Sequence, residues 1–392
     1  MKNKWKYVPL CDAVDICDNQ RKPINSKERA KRIDGKTEEE LYPYYGATGQ
    51  VGYIDDYITD GEYVLLGEDG APFLSTFAEK AYIISGKAWV NNHAHVLQSK
   101  GSNKFLCYYL NHFNYKGYVS GTTRLKLTQA QMKTIPVPVP PNEEQERIVA
   151  RIEELFSELD NGVETLQKTK QQLAVYRQAV LKSAFGEISS DEYKPLKSVL
   201  SVSPQNGIYK PKTAYGSGTQ ILRIDGFYDG RILKDYEFKR LKLSESEIEQ
   251  YQLNKWDLVI NRVNSMPYLG KCALVRDLAE VTVYESNMMR MRLDDTKVDS
   301  EYVTHYLSSF IGRKELTKNA KQAVNQASIN QTDVGNALIP VPERLEEQRN
   351  VVSAINARMS VCDNIEKTVD TALLQAEAMR QSILKQAFEG RI

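Results

Sequence analysis

Residues 143–185 and 346–388 of this chain are two copies of one element. Aligned without a gap at a constant offset of 203, they share 16 identical residues of 43. The matches include Glu143-Glu144-Gln145 with Glu346-Glu347-Gln348, Asp160-Asn161 with Asp363-Asn364, Arg177-Gln178 with Arg380-Gln381, and Leu181-Lys182 with Leu384-Lys385. Such self-similarity has to be read before any local structure, because it says the chain is built twice. Each copy follows the same punctuation, Ile135-Pro136-Val137-Pro138 or Ile339-Pro340-Val341-Pro342. Prolines end an extended segment there, and a helix can start only beyond them. Fainter similarity links Tyr7, Pro9 and Leu10 with Tyr193, Pro195 and Leu196. The order is globule, helix, globule, helix.

Both copies carry apolar residues at alternating spacings of three and four, the signature of a helix with one buried stripe. In the first these are Ile148, Ile152, Leu155, Leu159, Leu166, Leu173, Tyr176 and Val180, interrupted at Gly162 and Thr169. In the second they are Val351, Ile355, Cys362, Ile365, Val369, Ala372, Ala376, Met379 and Ile383, with Arg358 the exception. At about 1.5 Å per residue each rod would be about 65 Å long. Such a stripe must be buried, and the economical partner for each helix is its own copy. The equal, ungapped length argues for a mutually packed pair over two helices that merely cover their own globules. Antiparallel pairing would relate the halves by a pseudo-twofold axis.

The expected organisation is a globular domain at 1–141, a helix at 142–187, a second globular domain at 188–344 and a second helix at 345–392. The fold class is mixed α/β globular domains in two copies, alternating with two long α-helices paired as an antiparallel coiled coil. Within the globules Tyr63–Leu66, Lys80–Ile84, Asp257–Ile260 and Cys272–Val275 read as strands, separated by Gly, Asn and Asp turn signals. Asn103–Asn111 and Ser300–Phe310 read as helices.

Composition narrows the class. A chain of 392 residues exceeds one ordinary core. With 41% hydrophobic and 26% charged residues it reads as a globular protein without a membrane span or export signal, expected in the cytoplasm. Five scattered cysteines, none in a Cys-x-x-Cys pair, fit neither a disulfide framework nor a zinc ribbon. The net charge of +1 lends nothing to nucleic-acid binding, so any basic surface must be local.

Catalytic patterns fail one by one. Gly216-Ser217-Gly218-Thr219 lacks the lysine of a P-loop and reads as a flexible turn. Asn264-Ser265-Met266-Pro267-Tyr268 and Asp69-Gly70-Ala71-Pro72-Phe73 only distantly echo the Asn-Pro-Pro-Tyr loop of adenine methyltransferases. His93 and His95 could face one side of a strand, but no further ligand lies near them in sequence, and a polar or structural pair is expected over a metal site. The acidic pairs at the two helix starts complement the helix dipole, which accounts for them without catalysis.

Two globules, each followed by Ile-Pro-Val-Pro, a Glu-Glu-Gln helix start and a long helix ending in Ala184-Phe185 or Ala387-Phe388, resemble the specificity subunit of type I restriction-modification enzymes along the entire chain. Tyr44-Tyr45-Gly46-Ala47-Thr48-Gly49, Gly52-Tyr53, Gly67-Glu68-Asp69-Gly70 and Gly121-Thr122-Thr123-Arg124 add to the likeness, with Val324–Asn330 a divergent counterpart in the second half. The resemblance implies a non-catalytic chain in which each globule is a target-recognition domain for one half of a bipartite, asymmetric DNA site. It implies helices that space the domains and dock two methyltransferase subunits, which would bring S-adenosylmethionine, and a motor-nuclease subunit for cleavage. Base edges are best read by Arg, Lys, Asn and Gln on a rigid support. Thr122, Thr123, Arg124 and Lys126, then Arg262, Asn264, Asn325, Gln326 and Asn330, are the candidates, with Tyr44 and Tyr45 read as phosphate or sugar contacts or as core, and Gly46 as part of the interface or a tight turn. A pure scaffold and a stand-alone DNA-modifying enzyme are the competing classes. A salt series against random duplex separates the first, and methylation without partners would identify the second.

Overall fold

The computed structural model describes residues 5–186, 188, 192–324 and 326–392. The chain divides into two compact units, one of residues 1–168 with 369–392 and one of residues 169–368, so each long helix contributes a stretch to both.

In the first unit the central strand Tyr63–Gly67 is buried along its whole length, as its unbroken apolar run demands. It pairs antiparallel with Ala81–Ile84 on one side and Ala94–Ser99 on the other, and the latter pairs with Val14–Ile16. In a second sheet Tyr42–Gly46 runs antiparallel to Gly49–Ile54 and parallel to Lys87–Val90. One face of the first sheet packs on the helix Asn103–His112, the start of the first long helix (Asn142–Phe185) and the end of the second (Leu345–Phe388). Leu66, Leu97, Phe105, Leu110, Ile148, Ile152 and Phe388 meet there.

The second unit repeats this scheme. Leu200–Asn206, Met288–Leu293, Asp257–Asn261 and Cys272–Leu274 form a sheet of the same order, and Tyr215–Leu222 runs antiparallel to Lys239–Leu241 and parallel to Thr282–Tyr284. Leu258, Met289, Tyr302 and Tyr306 pack with Val180, Phe185, Ile355 and Met359 of the long helices. The duplicated prolines sit in two-stranded ribbons, Tyr7–Pro9 with Pro136–Pro138 and Tyr193–Pro195 with Leu338–Pro340.

The glutamine shared by the two helix starts has a visible role. The buried Gln145 accepts from the Ser102 N–H at 2.9 Å and donates to the Pro140 carbonyl at 2.9 Å. Gln348 does the same with the Asp299 N–H at 2.8 Å and the Pro342 carbonyl at 3.0 Å. Each glutamine ties a helix start to the proline segment and to the short helix of its globule.

The long helices pack antiparallel within each unit. In the first unit Asp160 pairs with Arg380, whose guanidinium also lies 4.9 Å over the Phe156 ring. In the second, Arg177 reaches Asp363 at 2.9 Å and Glu366 at 2.7 Å. Asp160 and Asp363 are repeat equivalents, as are Arg177 and Arg380, so one ion pair has been built twice. The helix ends match as well: Phe388 packs edge-on to Phe105 and Tyr109, and Phe185 edge-on to Tyr302 and Tyr306.

Of the apolar stripe, Ile148, Ile152, Leu173, Val180, Ile355 and Val369 are buried, and Leu155, Leu159, Leu166, Val351 and Ile383 half-buried. Ile365 and Met379 are corrected, for they are 40% and 54% exposed. The seam passes one residue later, at Glu366 and Arg380, because charged partners occupy it; a count of apolar residues is drawn to their neighbours. Two smaller expectations also change. The helix from Ser300 stops at Ser308, because Ser309 is extended and caps a new helix, Phe310–Thr317, by accepting from the Gly312 N–H. Gly216–Thr219 lies not in a turn but inside a bulged strand, where a Cβ on Gly218 would stand 2.3 Å from the Leu241 carbonyl oxygen. The five cysteines are free thiols. Among the described residues no helix is long and apolar enough to cross a membrane.

Candidate nucleic-acid interface

In the first unit the central strand runs out at Gly67 into Glu68-Asp69-Gly70, against the loop 120–127. That loop is closed by reciprocal hydrogen bonds, Ser120 N–H to Lys126 O at 3.0 Å and Lys126 N–H to Ser120 O at 2.8 Å. It is stitched to the strand end by Leu127 N–H to Glu68 O at 2.7 Å and Gly70 N–H to Leu125 O at 2.9 Å. Gly121 has φ +97°, and a Cβ there would lie 2.4 Å from the Arg124 carbonyl oxygen, so only glycine fits the bend. Thr122, Thr123 and Arg124 are thereby held out in solvent on a braced loop.

Carboxylates order the basic side chains of this corner. Arg124 Nε lies 2.6 Å from Asp69, Lys126 Nζ lies 3.3 Å from Glu68, and Arg21 pairs with the same Glu68 and with Asp18 at 3.2 Å. Beneath them the fully buried His95 hydrogen-bonds through Nδ1 to Asp18 at 2.8 Å and through Nε2 to the Leu127 carbonyl at 3.1 Å. Burial opposes the Asp18 charge, but the His95 hydrogen bond and charge, the Val96 N–H and Gln129 outweigh it and hold the carboxyl down at about 2. His93, 3.7 Å from Asp69, and His95 thus serve the polar network. Among the described residues no three metal-ligating side chains stand together.

The second unit builds the same corner with different chemistry. Arg262 follows the end of the central strand as Glu68 does: its N–H donates to Asn287 O at 2.8 Å and its carbonyl accepts from Ile329 N–H at 3.0 Å, matching Glu68 with His93 and Leu127. The Arg262 guanidinium reaches the Ser286 carbonyl at 3.0 Å, and its Nε is buried without a partner among the described residues. Val263–Asn264 pairs antiparallel with Gln326–Ser328, which pairs antiparallel on its other side with Lys321–Ala323. Gln326 is exposed; Asn264 turns its Oδ1 to the Ser265 N–H at 2.8 Å. Asn330 caps the helix Gln331–Gly335, accepting from Thr332 and Asp333 N–H, as Thr128 caps Gln129–Lys133. Asn325 lies outside the described residues.

Arg124 and Lys126 thus stand beside Glu68 and Asp69, and the sequence candidates Gln326, Arg262 and Asn264, far apart in the chain, meet in space. Tyr44, Tyr45 and Gly46 do not join them. The Tyr44 ring is 3% exposed under Arg29, with its hydroxyl donating to Ile24 O at 3.3 Å; Tyr45 packs on Tyr82, and Gly46 is buried against Val51 and Asn91. These three build the second sheet. The reasoning from sequence missed Arg21, Glu68 and Asp69 as the organisers of the corner. The Gly-Glu-Asp-Gly motif was the available signal, since two carboxylates at a strand end with basic residues elsewhere invite pairing.

Residues 2–173 match the family model described as a type I restriction modification DNA specificity domain. Along 95% of the chain it is 27% identical to a type I restriction enzyme specificity subunit of Haemophilus influenzae, covering 92% of that protein. The EcoKI specificity subunit of Escherichia coli K12 is 27% identical over 70% of the chain, and the StySPI specificity subunit of Salmonella potsdam 27% over 72%. The chain spans 61% and 65% of those two relatives, less than two thirds of their length. A solved structure concerned with complex assembly and conformational transition of the type I R-M system superposes with a TM-score of 0.68 at 16% identity, covering all of both chains. In the twofold repetition of domain and helix and in sequence along 95% of its length, the chain is similar to type I restriction-modification specificity subunits.

Proposed function

We propose that this chain is the DNA-reading part of a type I restriction-modification complex and performs no chemistry itself, each domain addressing one half of a bipartite, asymmetric duplex site. The observation that carries this is the duplicated corner. The same backbone hydrogen bonds present Glu68, Arg124 and Lys126 in one domain and Arg262, Gln326 and Ser328 in the other. Base pairs differ in the donors and acceptors they show in the major groove, so two frames of one shape with different side chains suit two different half-sites. Thr122 and Thr123, at the loop tip, and Asn264 add further donors and acceptors; phosphate contacts by the basic side chains fix the position.

In this reading the long helices set the gap between half-sites and carry two methyltransferase subunits, which bring S-adenosylmethionine and methylate adenine. Motor-nuclease subunits join for cleavage, and the complex works in the cytoplasm. Apolar side chains that point off the helix seam support a docking role: Val175 and Val361 are 71% and 57% exposed, Leu374 and Met379 73% and 54%. The test is methylation-sensitive sequencing of DNA from cells with the partner methyltransferase alone and with both chains. A split adenine motif modified only when this chain is present is expected; its absence despite a stable complex would leave a scaffold.

A further inference from the structure

In the second unit an Asp229-Gly230 hairpin joins Phe227–Tyr228 to Arg231–Ile232, both turn residues having positive φ (47° and 79°), as a tight two-residue connection requires. It holds Tyr228 out beside the loop 264–271, the same Asn-Ser-Met-Pro-Tyr segment that distantly echoes a methyltransferase motif. The Lys271 ammonium lies 3.6 Å from the Tyr228 ring centre and 4.2 Å from that of Tyr268, and these rings are 47% and 52% exposed. Gly270, at φ +73°, lets the loop settle on the helix Phe310–Thr317, where the Arg313 stem would be 3.3 Å from an added Cβ.

This arrangement is costly in the free chain. Arg313 packs at Gly270, next to Lys271, and the two charges repel; among the described residues neither has a carboxylate within ion-pair distance, whereas nearby Arg177 and Arg231 are both paired with Asp363. Burial first, then Arg313, pushes the Lys271 ammonium down to about 8, with Asp229 acting the other way. Asp229 lies on the exposed turn, and desolvation by its surroundings pushes its carboxyl up. Two cations with a single acid at the turn beside them, framed by exposed phenols that bring flat faces and hydroxyl donors, form a seat for an anion. Its place in the sheet identifies the anion. Asn261 N–H donates to Lys271 O at 2.8 Å, so Lys271 stands directly across from the strand end that leads into Arg262.

We propose that Lys271 and Arg313, between Tyr228 and Tyr268, form a clamp for a DNA-backbone phosphate beside the bases addressed by the Arg262–Asn264 corner. The inference rests on the DNA-reading role proposed above. Neutralising one phosphate adds about 0.9 to the slope of log affinity against log salt, without sequence preference. The test is binding of the full chain to a random-sequence duplex across a salt series, for the wild type and for Lys271→Gln, Arg313→Gln, Lys271→Arg and Lys255→Gln. Lys255 precedes the opposite end of the central strand and serves as a charge-matched control. Each glutamine variant in the clamp should flatten the slope by about one unit, while Lys271→Arg and Lys255→Gln keep it. Slopes unchanged in both clamp variants would overturn the proposal while leaving DNA reading intact. A wild type that does not bind duplex would overturn both. Thermal stabilisation by inorganic phosphate that the clamp variants lose, with their duplex slopes unchanged, would assign the seat to a free anion and likewise overturn the backbone clamp. Circular dichroism and urea midpoints verify that each variant is folded.

Discussion

Replacing Gln348 with Ala should break the joint between the second long helix and its globule. The side chain is fully buried, and its loss strands the Asp299 N–H, now bonded at 2.8 Å, and the Pro342 carbonyl, bonded at 3.0 Å. Each buried backbone group without a partner costs about 1–3 kcal/mol, so the pair costs about 2–6 kcal/mol, towards the lower end where water enters the space vacated. With about 3 kcal/mol lost and a urea m of about 3 kcal/mol/M, the midpoint of the second unit should fall by about 1 M. Asp299 also caps the helix Ser300–Ser308, so hydrogen exchange at its amide and at Glu301 and Tyr302 should quicken together. Gln145→Ala should cost the first unit a similar amount through Ser102 and Pro140. The two share no partner, so the double variant should be additive within about 0.5 kcal/mol. A midpoint moved by less than about 0.2 M, with Asp299 still protected, would refute the joint.

Exchanging the charges of the Asp160–Arg380 pair should restore what either single reversal loses; at this exposure the coupling should be about 0.2–1 kcal/mol, read from a double-mutant cycle in urea. Asp18, with its carboxyl near 2 in the fold against an ordinary 3.8, contributes stability that is complete above about pH 4 and fades as the pH falls through 2. Its side chain is 11% exposed, so the contribution is about 2 kcal/mol, and unfolding between pH 6 and pH 3 should be less pH-dependent in Asp18→Asn by about 1 kcal/mol. Four residues inserted near Gln171, with a matching insertion in the second helix, should change the gap of the methylated motif by one to two base pairs, because one helical turn is about 5.4 Å and a base-pair step about 3.4 Å. An unchanged gap in the sequenced sites would end the idea of a ruler.

The repeat made the architecture legible, because two equal copies of an amphipathic helix have few ways to bury their stripes. The same repeat held the residues that fasten the helices, Gln145 with Gln348 and Asp160–Arg177 with Asp363–Arg380, although identity alone could not say that the charged ones pair across an antiparallel seam. Apolar counting erred where that seam is charged, at Ile365 and Met379. Sheet order was hidden because it depends on which strands meet after long connections, and local pattern is silent on that. At the candidate interface, exposed Arg and Gln in glycine-bounded loops were visible. The carboxylates that brace them stood in the Gly-Glu-Asp-Gly motif, but their partners did not show, since Glu68 and Asp69 lie over fifty residues from Arg124. Tyr44 and Tyr45 look alike whether they face solvent or core, and only the parallel pairing with Trp89 and Val90 separates the two outcomes.

The most direct test of the central claim, that each domain reads its own half-site, changes one corner and leaves the other alone. Arg262→Ala and Gln326→Ala, expressed with the partner methyltransferase, should alter or relax one half of the methylated motif while the other half and the gap stay as in the wild type. Relaxation of both halves together, or an unaltered motif, would contradict it.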